Sequence, residues 1–227
     1  RGRYPIKLIY ASNIPGILMA ALLANISMFT MLFYTNDALS GIPLLGGNPL
    51  LGVYPAGENY PTSGLAWYLS TPSGVGDWLL PILNPEAYGS MVHGHSSLQV
   101  IAHVLIYVGI MVGGSVLFAK FWIMTTNMGP EAVARQIESS GLQIPGFRRD
   151  PRVLKRVLER YIPVVTVISG AVVGGLAAGA DLIGTVGNAS GTGVLLAVGI
   201  MIQFYEALGR EQMMEMHPVL RGFFGGE

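Results

Sequence analysis

Cysteine is absent from the 227 residues, which excludes disulfides, iron–sulfur clusters and thiolate zinc sites. Charge is scarce: 11% of residues are Asp, Glu, Lys or Arg, where an ordinary soluble domain carries about 25%. So small a fraction excludes disorder and most soluble folds. With 13 basic against 13 acidic residues, there is no basic excess of the size that nucleic-acid binding needs. A phosphate loop, a nucleotide fingerprint and a Ser–His–Asp order with supporting context are all missing. No signal peptide precedes the first apolar run and the first residue is Arg1, so the chain reads as a segment of something longer. What is plentiful is apolar surface, at 51% of residues, and glycine, at 31 positions. Glycine costs a soluble helix about 1 kcal/mol at each interior position, whereas closely packed membrane helices tolerate it.

Four stretches are long and apolar enough to cross a bilayer, which takes about 20 residues. The expected spans are 8–34, 98–124, 161–180 and 190–208, giving an all-α polytopic transmembrane bundle. Between the first two lies a Gly- and Pro-rich segment, 35–90, with Tyr60, Trp67, Tyr68 and Trp78, aromatics suited to a membrane–water interface. Its GLAWYLSTP stretch predicts a short helix broken by Pro72, and the rest reads as loop. The segment 125–160 is basic. Pro130 and Glu131 predict a helix opening there, ended by Gly141, and Asp150 with Pro151 predict the cap and first position of another helix that runs on into the third span. All 13 Lys and Arg fall on one side: Arg1, Arg3 and Lys7, then eight from Lys120 to Arg160, then Arg210 and Arg221. The opposite side holds Asp37, Glu58, Asp77, Glu86 and Asp181. By the positive-inside rule the basic face is cytoplasmic, with both ends of this segment in the cytosol of a multi-pass cell-membrane protein.

His93, His95 and His103 raise the question of a haem or metal site. Imidazoles two turns apart on one helix rarely converge on one point, and the plainer reading places His93 and His95 at the headgroups with His103 bonding a neighbouring helix. No acid lies at membrane depth on this reading, the nearest candidate, Glu206, falling at the cytoplasmic end of the fourth span, and Asp181 reads as a solvated turn residue. That weighs against proton pumps and ion-coupled carriers, which keep a carboxylate at membrane depth. In SGAVVGGLAAGA, Gly170, Gly174, Gly175 and Gly179 form two overlapping small-xxx-small patterns that permit close helix approach. Asn25 needs a partner or a wet cavity, since an unpaired amide in hydrocarbon costs about 1–3 kcal/mol.

The order of motifs, RGRYPIKLIYASNIP, YLSTP, GLQIPGFRRDP, ERYIPVVTV, GTGVLL and a helix ending FYEAL, resembles the SecY family of protein-conducting channels in its archaeal form, over essentially the whole chain. The resemblance implies the last four of ten helices and a function without covalent chemistry or cofactor: conduction of unfolded polypeptide and lateral release of transmembrane segments into the lipid bilayer. Ile17, in NIPGI, and Leu196, the second leucine of GTGVLL, would then belong to the aliphatic ring that seals the pore. Asn25 would stand in the lateral gate. Arg148, and less specifically Arg149, would dock the ribosome. The implied partners are the N-terminal part of the channel, small SecE and SecG/Sec-beta-type subunits, the ribosome and secretory polypeptides. A haem-binding membrane-anchor subunit of a redox enzyme is the rival reading, and a secondary carrier a third.

Overall fold

The computed structural model describes residues 13–36, 48–55, 57–89, 93–139, 151–184 and 190–216. Among the described residues eight helices follow in order: α1 Ile14–Thr35, α2 Leu65–Leu69, α3 Val75–Leu83, α4 Pro85–Tyr88, α5 Ser97–Thr125, α6 Pro130–Ser139, α7 Pro151–Ile183 and α8 Gly191–Met216. Four carry membrane-length apolar stretches, Ile14–Thr35, Ser97–Thr125, Lys155–Ile183 and Gly191–Gly209.

Local chemistry accounts for the ends. Pro15 occupies the first turn of α1, where a missing N–H costs nothing. Ser96 caps α5 in a capping box: its side chain accepts from the Gln99 N–H while the Gln99 side chain takes the Ser96 N–H. Proline opens α6 and α7 at Pro130 and Pro151, as the sequence leads one to expect; Asp150, the anticipated cap, lies outside the described residues.

Helix α7 is the spine. Its 33 residues extend about 50 Å, more than a ~30 Å hydrocarbon core requires, so one end projects. There Leu158 and Ile162 pack with Val133, Ala134 and Ile137 of α6 and Ala119 and Ile123 of α5 in one buried cluster. Glu131 of α6 reaches Arg135 at 2.9 Å and Lys155 of α7 at 3.4 Å, and these cations, Arg135 foremost, hold its carboxyl below the usual glutamate range. In the apolar stretch, α7 lies against α5 through glycine. A Cβ on Gly174 would stand 2.7 Å from the Met111 carbonyl and 2.8 Å from Ser115 Oγ, and one on Gly170 2.8 Å from Val116 Cα. Gly179 has nothing within 4 Å and Gly175 only a distant Val112 methyl. Of the two overlapping small-xxx-small patterns, only Gly170/Gly174 is a packing seam. A second cluster joins Met19 and Leu23 of α1, Tyr107 and Met111 of α5, and Ala177 and Ala178 of α7.

The segment between α1 and α5 is more ordered than the loop its composition suggests. α2 forms within GLAWYLSTP as expected, ending at Ser70, but α3 and α4 follow it. Pro81 sits inside α3 and Pro85 opens α4. Asp77, in the first turn of α3, accepts from the Ser73 N–H at 2.8 Å, and the Trp78 indole N–H donates to the Leu182 carbonyl at 2.9 Å. Gly74 (φ 105°) and Gly184 (φ 90°) meet face to face, a Cβ on either falling 3.0 Å from the other's Cα. Both adopt left-handed backbone in a contact too close for a side chain. This segment is thereby fastened to the end of α7.

Candidate functional site

On α1 the residues Ile17, Ala20, Ala21, Ala24 and Ser27 recur at three- and four-residue spacing, which lines up one helix face. All five border a cavity of about 680 Å³. Across it stand Thr192, Gly193 and Leu196 of α8, and Ser70, Thr71 and Ser73 close one end, with Tyr107 and Asp181 beside them. The lining is mixed: Ile17, Leu23, Leu69 and Leu196 bring branched aliphatic bulk, and hydroxyls stand on α1 at Ser27, in the α2–α3 segment at Ser70, Thr71 and Ser73, and at the start of α8 at Ser190 and Thr192.

Two close contacts bring those residues to one groove. Gly16 lies against α7, where a Cβ would be 2.8 Å from Val173 Cγ1, which fixes the start of α1 and Ile17 beside it. On α8, Gly199 faces the Asn13 side chain at the foot of α1. Ile17 is half-buried and Leu196 43% exposed, so both present surface to the cavity. An aliphatic constriction suits a path that must exclude water when empty yet bind nothing tightly.

Asn25 is not in the groove. It is exposed, and its Nδ2 donates to the Ala21 carbonyl of its own helix at 2.8 Å. The amide is satisfied without another helix, on a part of α1 where Leu22, Met28, Phe29 and Leu32 are also exposed. Arg148 and Arg149 lie outside the described residues.

His95 and His103 are structural. His95, which precedes α5 rather than lying on it, stacks on Trp67 with ring centroids 3.9 Å apart, and His103 tilts against the same indole at 4.4 Å. His95 Nε2 meets the Thr62 carbonyl at 2.8 Å and His103 Nε2 the Ser70 carbonyl at 3.0 Å. A carbonyl only accepts, so each Nε2 carries a hydrogen and is turned away from metal ligation. The two rings do converge, but on Trp67. His103 bonds the C-terminal end of α2 and so pins the α2 segment to α5. His93 is exposed, in left-handed backbone (φ 51°). Among the described residues no group of His, Asp and Glu is arranged to hold a metal ion.

Asp181 overturns the expectation of a solvated turn. It lies within α7, 6% exposed. Its Oδ2 accepts from the Tyr107 hydroxyl at 2.7 Å and its Oδ1 from the Gly191 N–H at 2.6 Å. The sequence separations, 74 and 10 residues, explain why pattern reading misses it: neither is a helical or hairpin spacing. Tyr60, bordering the groove, is also missed; burial, the main cause, pushes its phenol up while the Ser70 hydroxyl bonded to it at 3.0 Å works the other way.

Four apolar helices of membrane length define a multi-pass membrane protein. A family model described as SecY matches residues 1–205. Curated relatives named "Protein translocase subunit SecY" include that of Halobacterium salinarum, 46% identical over 228 residues, and that of Haloferax volcanii, 46% over 227, each alignment covering 100% of this chain and 43% of the relative. The relative from Archaeoglobus fulgidus is 42% identical over 227 residues, with the same coverage. The chain belongs to the SecY family, and spans about 43% of the length of these relatives.

Proposed function

We propose that the chain is the C-terminal part of a protein-conducting channel and that the groove between α1 and α8 is one wall of its polypeptide path. The observation that carries this reading is the shared cavity of Ile17 and Leu196, two positions picked from separate motifs 179 residues apart. The other wall belongs to the N-terminal part of the full-length protein. Unfolded polypeptide passes through, and apolar segments leave sideways into lipid, where a charged residue costs about 2.5–3.5 kcal/mol at mid-membrane on the insertion scale. No covalent chemistry is involved.

Asn25 belongs to the lateral gate in this account. Its exposure among large apolar neighbours fits a surface that the missing half of the channel covers. The basic side is cytoplasmic, from the one-sided distribution of Lys and Arg. Arg148 and Arg149 offer cations to ribosomal RNA, and small SecE- and SecG/Sec-beta-type subunits complete the complex.

Ion leak through the resting full-length channel tests the ring. Ile17→Ser and Leu196→Ser should each raise it, because a hydroxyl lets water persist where aliphatic surface expels it. Leu98→Ser, on the exposed surface of α5, should leave it unchanged. Unaltered conductance in both ring variants would refute the assignment.

A further inference from the structure

We infer that Asp181 is a positioning residue for this groove, its side chain holding the first turn of α8 to α5 and α7 and so fixing where Leu196 stands relative to Ile17. The inference rests on the reading of the groove as the polypeptide path. A buried carboxyl group is costly unless its oxygens are satisfied, and here each oxygen has one donor: the Tyr107 hydroxyl from α5 and the Gly191 N–H from α8. Both carboxyl oxygens are thereby engaged, each by a different helix. The α8 N-terminus adds the positive end of a helix dipole. Asp181 therefore ties three helices at one point.

The start of α8 is built for this contact. Gly191 lies so close to α7 that a Cβ would be 2.9 Å from Ala180 Cβ and from the Asp181 backbone nitrogen. Ser190 takes the next free donor, its Oγ accepting from the Gly193 N–H at 3.2 Å. Leu196 follows five residues after Gly191, about 7.5 Å along the axis and 140° around it, so the seat of the first turn dictates its place. Further along, Ile200, Met201, Phe204 and Tyr205 are all exposed. Besides the clamp, Leu195 packs against the Met19–Ala177 cluster and Gly199 approaches Asn13 further along. Loosening the clamp frees α8 to move relative to α1, with the seal at stake rather than the fold as a whole.

The test uses the full-length channel assembled with its partner subunits: pulsed electron–electron distance measurement between spin labels on cysteines introduced at positions 17 and 196, and, in separate samples that keep Ile17 and Leu196, resting ion leak. Asp181→Ala should broaden the 17–196 distance distribution and raise leak about tenfold, on the scale of a lost charged hydrogen bond. Tyr107→Phe, which removes one hydroxyl, should do the same to a smaller extent, about threefold. Asp181→Asn keeps an oxygen for the Gly191 N–H and should stay within about twofold of the unsubstituted channel. Wild-type distances and leak in both Asp181→Ala and Tyr107→Phe would overturn the inference, as would an Asp181→Asn channel as damaged as Asp181→Ala. Should Asp181→Ala fail to assemble, Tyr107→Phe decides alone. The distance readout does not depend on translocation: a channel in which Ile17→Ser and Leu196→Ser leave leak unchanged loses the pore reading, while the 17–196 distances still judge the clamp.

Discussion

Replacing Gly174 by Ala should weaken the α5–α7 seam, and replacing Gly179 by Ala should not. A Cβ at 174 would lie 2.7 Å from the Met111 carbonyl oxygen, 2.8 Å from Ser115 Oγ and 2.9 Å from Ser115 Cβ, where relaxed contacts begin near ~3.5 Å. The two helices must part by about 0.7 Å to restore that distance, and overpacking of this kind costs about 1–3 kcal/mol. At position 179 nothing lies within 4 Å, so the methyl group meets no resistance. Alanine also gains about 0.8–1 kcal/mol of helix propensity over glycine, but that gain is common to both sites and cancels in the comparison. The difference between the two variants therefore reports packing alone, about 1–3 kcal/mol with Gly174→Ala the less stable. Equilibrium unfolding of the purified full-length protein in mixed micelles, followed by tryptophan fluorescence, measures it. A difference under about 0.5 kcal/mol, or one of opposite sign, would refute the argument that glycine at 174 serves close approach.

Among the described residues the buried Ser115 hydroxyl has no hydrogen-bond partner, so Ser115→Ala should be neutral or stabilising by up to about 1 kcal/mol in the same unfolding assay. Glu131 has its carboxyl held low by Arg135 and Lys155; the stabilisation it gives is present above the unfolded glutamate value of about 4.3 and is lost as pH falls through the lower folded value. Glu131→Gln should remove that acid-side dependence from a pH series of melting curves and change little at neutral pH. Asn25→Leu should leave unfolding of the protein nearly unaltered, since the amide bonds only its own helix, while changing how hydrophobic a signal sequence must be to open the full-length channel in a translocation assay. Trp67→Ala removes the indole on which His95 and His103 rest, and faster proteolysis of the 48–89 segment should reveal its release.

The sequence made the helices legible because a membrane span announces itself by length and apolar content. The proline starts at Pro130 and Pro151 were equally plain, since position within a pattern identifies a cap. α3 was hidden in a Gly- and Pro-rich segment that reads as loop: Pro81 lies inside it, and the contacts Trp78–Leu182 and Gly74–Gly184 that hold the segment to α7 are long-range. The glycine motif showed that close packing was possible but not which glycines take part, because four glycines at similar spacing differ only in what stands opposite. At the candidate site, Ile17 and Leu196 came from resemblance rather than from any physical signal in their neighbourhood. Asp181 went unseen because a carboxylate beside a glycine-rich turn looks solvated until Tyr107 and Gly191 are brought to it. Its burial near the end of α7 places a carboxyl inside the Lys155–Ile183 stretch, committed to two hydrogen bonds.

The central claim is that polypeptide passes along the groove bordered by Ile17 and Leu196. The most direct measurement is crosslinking of a stalled secretory chain to single cysteines introduced at positions 17 and 196 of the full-length channel in native membranes, with a cysteine at exposed Leu98 as a control facing away from the groove. The account predicts crosslinks at 17 and 196 that require a functional signal sequence, and none at 98. Crosslinks absent at both groove positions, while cysteines elsewhere on α1 react with a soluble thiol reagent, would contradict it.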